Sequence, residues 1–177
     1  MNAPTRNRPS SAALVEQLAA ALLQRNWKLV TAESCTGGMI AAACTDLAGS
    51  SEWFERGLVT YSNAAKLELL GVDAALLERY GAVSDAVVRA MALGAVCHGN
   101  ANVSIAVTGI AGPGGGSLQK PVGTVWVGWS VSGRVSSRLC HCTGTRAAVR
   151  RETVVLAIRG LLVLLGQFDN PLTFTLR

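Results

Sequence analysis

Three groups of residues in this chain are of a type and spacing suited to chemistry. The first is the run Thr31-Ala32-Glu33-Ser34-Cys35-Thr36-Gly37-Gly38. A strand-forming stretch (Leu29, Val30, Thr31) precedes it and an Ala-rich apolar stretch from Met39 to Leu47 follows, which predicts strand, sharp turn, helix. Ser34 stands where the strand hands over to the turn. Its hydroxyl could attack a carbonyl while amides of the turn stabilise the oxyanion. The competing reading is that Ser34 or Thr36 only caps the helix. Gly37 and Gly38 let a ligand come close to the backbone, and the first N–H groups of the helix favour negative charge. The second group is Tyr61 and Lys66, about one helical turn apart. A buried lysine loses its proton more readily and can act as a general base; an exposed one is only a solvated surface charge. The third group is Arg146, Arg150 and Arg151, in the first two turns of the last helix, where cations oppose the helix dipole. Arg146 and Arg150 are four apart and share a face. Either a substrate phosphate or carboxylate compensates them, or Glu152 or another acid does.

Competing chemistries are weaker. The chain has two histidines, His98 at a helix end and His141 within a strand, and neither pairs with an aspartate near Ser34. Cys35 is a rival nucleophile without a partnered histidine. Cys140-His141-Cys142 has metal-ligand residue types, but strand alternation turns the cysteines one way and the histidine the other, so no metal site is expected. The loop Gly109 to Ser117 lacks the Gly-Lys-Ser/Thr of a phosphate loop and the third glycine of a dinucleotide fingerprint. Trp126 and Trp129 read as packing residues.

The elements that must position these residues follow from periodicity and punctuation. Residues 1–9 read as a disordered arm. A helix capped by Ser10 or Ser11 runs to about Arg25, with Leu14, Leu18, Ala21 and Leu22 on one face. Strand one covers Lys28 to Glu33, and the helix after the Ser34 turn ends near Ala48-Gly49. Strand two is Gly57 to Tyr61. Asn63 caps a short helix, Ala64 to Leu70, closed by Gly71. Helices follow over Asp73 to Tyr80 and from Ser84-Asp85 to about His98. Strand three is Val103 to Thr108. Strands four (Gly123 to Val131) and five (Arg134 to Thr143) form a hairpin across Ser132-Gly133. The last helix runs from near Thr145 to about Leu165, and 166–177 is a tail. Strands alternating with helices, then a hairpin, predict a three-layer α/β/α sandwich with a mixed, mainly parallel sheet. Parallel strands one to three would bring Ser34, Tyr61 and Thr108 to one sheet edge, where open α/β sheets bind ligands.

Composition narrows the partners. Half of the 177 residues are hydrophobic, enough for one domain with a sizeable core and no cross-links. The net charge of +5 comes almost wholly from 13 arginines against three lysines, and arginine suits carboxylate and phosphate. Aromatic residues are only 5%, with no basic stripe among them, so nucleic-acid binding is poorly supported, and an anionic small molecule fits the charge equally well. The longest apolar stretch, Thr153 to Leu165, is interrupted by Arg159-Gly160 and too short for a bilayer. No secretory signal is visible, and five cysteines without framework spacing suggest reduced thiols in the cytoplasm.

The run Ala32 to Gly38 resembles the signature of the CinA C-terminal domain family, the PncC-type nicotinamide-nucleotide amidohydrolases. So do Thr60-Tyr61-Ser62-Asn63 with Lys66, Leu69-Leu70-Gly71-Val72, Gly81-Ala82-Val83-Ser84 and Thr108 to Gly115. The match covers about residues 10–165 in order and at family spacing. The resemblance implies hydrolysis of the carboxamide of nicotinamide mononucleotide to nicotinate mononucleotide and ammonia, in pyridine nucleotide salvage. It implies a Ser/Lys amidohydrolase without metal or cofactor. Carried over by motif, Ser34 is the nucleophile, Lys66 the base, and Tyr61 and Thr108 supporting catalytic residues. Thr36, Gly37, Gly38 and Gly109 are expected against the substrate, and Arg146 or Arg150 is expected to bind it. Thr145 stands where the family often has an acidic residue, which leaves the choice between the two arginines open. A homo-oligomer is expected. Many relatives carry a further N-terminal domain, and this chain is expected to be the stand-alone form. The alternative from another class is a non-catalytic nucleotide-binding or competence-associated interaction module; a pure binder needs no base beside a hydroxyl.

Overall fold

A computed structural model describes residues 10–167. Its sheet has the order β2-β1-β3-β4-β5, from β1 (Leu29–Glu33), β2 (Phe54–Val59), β3 (Val103–Gly109), β4 (Thr124–Val131) and β5 (Arg134–His141). β1 pairs parallel to β2 and β3, and β3-β4 and β4-β5 are antiparallel. The carboxyl ends of β1, β2 and β3 therefore lie on one edge. The β4-β5 hairpin turns at Ser132 and Gly133, both with positive φ (48° and 80°), as a tight two-residue hairpin requires.

Helices cover both faces. α1 (Ser11–Leu23), α2 (Met39–Thr45) and α6 (Arg146–Leu164) close one face over a core that includes Leu14, Leu18, Leu22, Ile40, Ile105, Trp129 and Ile158. α3 (Asn63–Leu70), α4 (Ala74–Tyr80) and α5 (Asp85–Gly99) cover the other over Val30, Ala32, Leu70, Val87, Met91 and Ala106. The period-two alternation of a strand sorts β1 between them. Leu29 belongs to the first core and Val30 and Ala32 to the second. The same alternation carries Glu33 toward α2 and α6, and Ser34 toward α3. Close packing fixes the helix positions: a Cβ on Gly160 of α6 would lie 2.0 Å from the buried Trp129 ring.

Four expectations need correction. β2 begins at Phe54 and ends at Val59, earlier than expected at both ends; it is an edge strand, which accommodates an exposed Arg56 and a partly buried Glu55. Tyr61 thus lies past the ladder and is 59% exposed. The helix after the Ser34 turn stops at Thr45, and a short 3₁₀ turn, Ser50–Glu52, leads into β2. Ser62, not Asn63, caps α3, its Oγ accepting from the Ala65 amide at 3.0 Å. Neither Ser34 nor Thr36 caps α2; Gly38 holds that position in a left-handed conformation with no side-chain cap. The arm expected at 1–9 lies outside the described residues, as does the tail beyond Gln167. Among the described residues no helix is long and apolar enough to cross a membrane.

Candidate active site

The carboxyl edge of the parallel strands carries a cavity of about 230 Å³, lined among others by Ser34, Cys35, Tyr61, Lys66, Thr108, Gly109 and Arg146. Its parts come from separate elements. Ser34 follows β1, and its amide donates to the Val107 carbonyl of β3 at 3.1 Å. Lys66 is on α3, whose start is set by the Ser62 cap and whose end is closed by Gly71 with φ 63°. The Thr108 hydroxyl donates to the Ala82 carbonyl at 2.9 Å and so ties β3 to the segment before α5.

Lys66 is 1% exposed. Its Nζ lies 3.4 Å from Ser34 Oγ, 2.9 Å from the Thr60 carbonyl oxygen, 3.3 Å from that of Ser62 and 3.4 Å from that of Tyr61. Burial pushes the amine below its ordinary pKa. A neutral amine has two N–H groups and one lone pair. Two carbonyls can take the N–H groups, which leaves the lone pair for the Ser34 hydroxyl. The same carbonyls steady the ammonium once a proton arrives.

Cys35 also lines the cavity but is nearly buried, and that burial raises its thiol to about 12. At neutral pH it is a thiol, not the thiolate that a nucleophile needs. Cys140 and Cys142 are buried while His141 is exposed, so strand alternation does separate the cysteines from the histidine. Among the described residues no group of three or more His, Cys, Asp or Glu side chains could hold a metal ion.

The two arginines divide. Arg146 lines the cavity; its Nη1 donates to the Gly112 carbonyl at 2.9 Å and its Nη2 to the Tyr61 hydroxyl at 3.1 Å. Arg150 instead donates from Nε to the Cys35 carbonyl at 3.1 Å and from Nη2 to that of Thr36 at 2.7 Å. Both arginines thus donate to backbone carbonyls. Thr36, Gly37 and Gly38 are not among the residues that line the cavity. The Thr36 hydroxyl and the Gly38 amide both donate to the Glu33 carboxylate.

Glu33 is the residue that sequence reasoning undervalued. It is fully buried and accepts five hydrogen bonds, from Thr31 Oγ1, Thr36 Oγ1 and the amides of Gly38, Ile40 and Ala41. Three of these are the orphan amides of a helix start. An acidic side chain shortly before a helix was the available signal.

The fold and this edge define a three-layer α/β/α domain that holds a serine hydroxyl against a buried lysine at the ends of its parallel strands. The CinA C-terminal domain model matches residues 11–165. A protein of Enterobacter agglomerans named nicotinamide-nucleotide amidohydrolase PncC is 54% identical over 81% of this chain and 88% of its own. The Escherichia coli K12 protein of the same name is 48% identical over 84% of this chain and 90% of its own. Among solved structures, the competence/damage inducible protein CihA of Agrobacterium tumefaciens superposes with a TM-score of 0.85 at 42% identity, covering 90% of this chain and 98% of that one. The chain belongs to the CinA C-terminal domain family.

Proposed function

We propose that this chain hydrolyses the carboxamide of nicotinamide mononucleotide to nicotinate mononucleotide and ammonia, with Ser34 as nucleophile and Lys66 as base. The observation that carries the mechanism is the buried Lys66 amine 3.4 Å from Ser34 Oγ inside the cavity. Hydrogen bonds of this kind often tighten only once substrate is bound. The names of relatives about half identical to the chain support the substrate.

In the acylation step Ser34 Oγ bonds to the carboxamide carbon and its proton passes to Lys66 Nζ. Lys66 returns that proton to the departing nitrogen, which leaves as ammonia when the C–N bond breaks. In the second step water attacks the Ser34 ester, Lys66 takes one water proton and returns it to Ser34 Oγ as the C–O bond breaks, and the carboxylic acid released gives its remaining proton to solvent. A cavity of about 230 Å³ takes the flat pyridine carboxamide and leaves the sugar phosphate at its mouth. The reading gives the phosphate to Arg146, supported by its exposed side chain beside Tyr61. Thr108 braces the far wall through Ala82. Five unbridged thiols suit a reducing cytoplasm.

The test is ammonia release from purified protein given nicotinamide mononucleotide, with and without a chelator. Turnover is expected in both, and Ser34→Ala is expected to abolish it while the protein stays folded. Absence of ammonia release from well-folded parent protein would overturn the reading.

A further inference from the structure

We propose that Glu33 and Arg150 are positioning residues that hold the Ser34 turn from one face of the sheet, keeping its hydroxyl aimed at Lys66 on the other. The proposal rests on the amide-hydrolysis reading of the site.

Glu33 has no capacity left for chemistry. Its Oε1 accepts from Thr31 Oγ1 at 3.2 Å and the Ala41 amide at 2.8 Å. Its Oε2 accepts from Thr36 Oγ1 at 2.7 Å, the Ile40 amide at 3.0 Å and the Gly38 amide at 3.1 Å. A carboxylate offers about four lone-pair sites, and five donors already crowd them. What Glu33 can do is lock the start of α2 and the Thr36 side chain to the residue immediately before Ser34.

Arg150 grips the residues immediately after it. Its planar fork spans two successive carbonyls, Cys35 and Thr36, a geometry that suits guanidinium and not ammonium. The C=O and N–H of a trans peptide point in opposite directions, so fixing these carbonyls also fixes the Thr36 and Gly37 amides. Gly37 lets the turn take the left-handed conformation this grip requires: its φ is 59°, and a Cβ there would be in ordinary contact with Arg150 Nη2, at 3.4 Å. Thr36 joins the two grips, its hydroxyl on Glu33 and its carbonyl on Arg150. The Ser34 amide is itself held by Val107. The backbone on both sides of Ser34 is thus pinned from the α2 and α6 face. The arrangement fits a nucleophile whose reaction demands placement within a fraction of an ångström.

The test uses Arg150→Gln, Arg150→Lys, Thr36→Val and Glu33→Gln, with Arg151→Gln as a control that removes the same charge from an exposed neighbouring position. Two readouts are taken. One is the rate at which a fluorophosphonate probe, which carries no nucleotide, labels Ser34. The other is kcat and KM on nicotinamide mononucleotide and on its phosphate-free riboside. Arg150→Gln and Thr36→Val are expected to slow labelling and lower kcat by about 10–100-fold, the scale of a misplaced reacting group, with KM nearly unchanged. The loss should be the same on both substrates. Arg150→Lys should not rescue it, and Arg151→Gln should match the parent.

Should Glu33→Gln not fold, Arg150→Gln, Arg150→Lys and Thr36→Val carry the test, with circular dichroism and melting curves confirming their fold. An Arg150→Gln protein that labels at the parental rate but shows a raised KM on the mononucleotide alone would make Arg150 a phosphate ligand and overturn the proposal. Parental labelling by folded Thr36→Val would overturn it as well. If the parent is labelled but releases no ammonia, the functional reading fails while the labelling rates still decide the positioning.

Discussion

Replacing Lys66 with arginine keeps a cation at the same place and removes the base, so it separates two roles that alanine would confound. The Nζ is held by three carbonyls at 2.9, 3.3 and 3.4 Å with Ser34 Oγ as its remaining neighbour. A guanidinium cannot give up its proton near neutral pH. General-base catalysis contributes roughly 10²–10⁴-fold, which is about 2.7–5.4 kcal/mol at 1.36 kcal/mol per decade. Lys66→Arg and Lys66→Ala should therefore both lose at least about two decades of kcat/KM.

The pH dependence gives a second readout. Burial holds the Lys66 pKa below its ordinary value, so the rate should rise with pH through an ionisation below the free-lysine range. Stability follows with a defined sign. Below the folded-state pKa, both folded and unfolded chains hold the proton, and the fold bears the full cost of burying it. Between the folded-state value and the ordinary one, the unfolded chain binds more protons, so stability rises with pH. Lys66→Met lacks this dependence, so its stability relative to the parent should fall as pH climbs from neutral toward 10. Denaturant titrations across that range measure it. An arginine variant that keeps most of its activity, together with a flat stability difference, would refute the neutral-lysine reasoning.

Two further outcomes test the surroundings. Cys35→Ser should keep most of its turnover, because burial holds that thiol protonated with a pKa of about 12; a loss as deep as that of Ser34→Ala in an ammonia assay would make Cys35 the nucleophile. Gly160→Ala should destabilise the fold even though alanine favours helix, because its Cβ would come within 2.0 Å of Trp129. Overpacking costs about 1–3 kcal/mol, and about 1 kcal/mol lowers the melting temperature by roughly 2–4 °C in a chain this long, readable by calorimetry.

Most of the architecture was legible along the chain because it follows from local rules. Ser84, Thr145 and Ser10 cap the helices they precede, Gly71 closes α3, and Ser132-Gly133 turns the hairpin. These depend on backbone conformation and on groups within a few residues. The limits of β2 were less legible, since Glu55 and Arg56 resemble a polar turn until an edge position gives them solvent. Ser34 and Lys66 were legible as residue types, and strand alternation placed Ser34 on the face to which α3 packs.

What the sequence determined by itself is thus the menu: a serine at a strand-to-helix turn, a lysine one turn into a short helix, arginines at the start of the last helix. Only the tertiary structure decided between the readings each allowed. Burial of Lys66 is a property of the packed edge, and a solvated lysine has the same local sequence. The contacts of Arg146 and Arg150 diverge although they share a helix face, because one reaches across the cavity mouth to Tyr61 and the other reaches the Ser34 turn. Glu33 ties the start of α2 to the Ser34 turn because five donors from three segments converge on it. Desolvation and hydrogen-bond saturation depend on every neighbour in three dimensions, and that sum is not carried by any one stretch of chain.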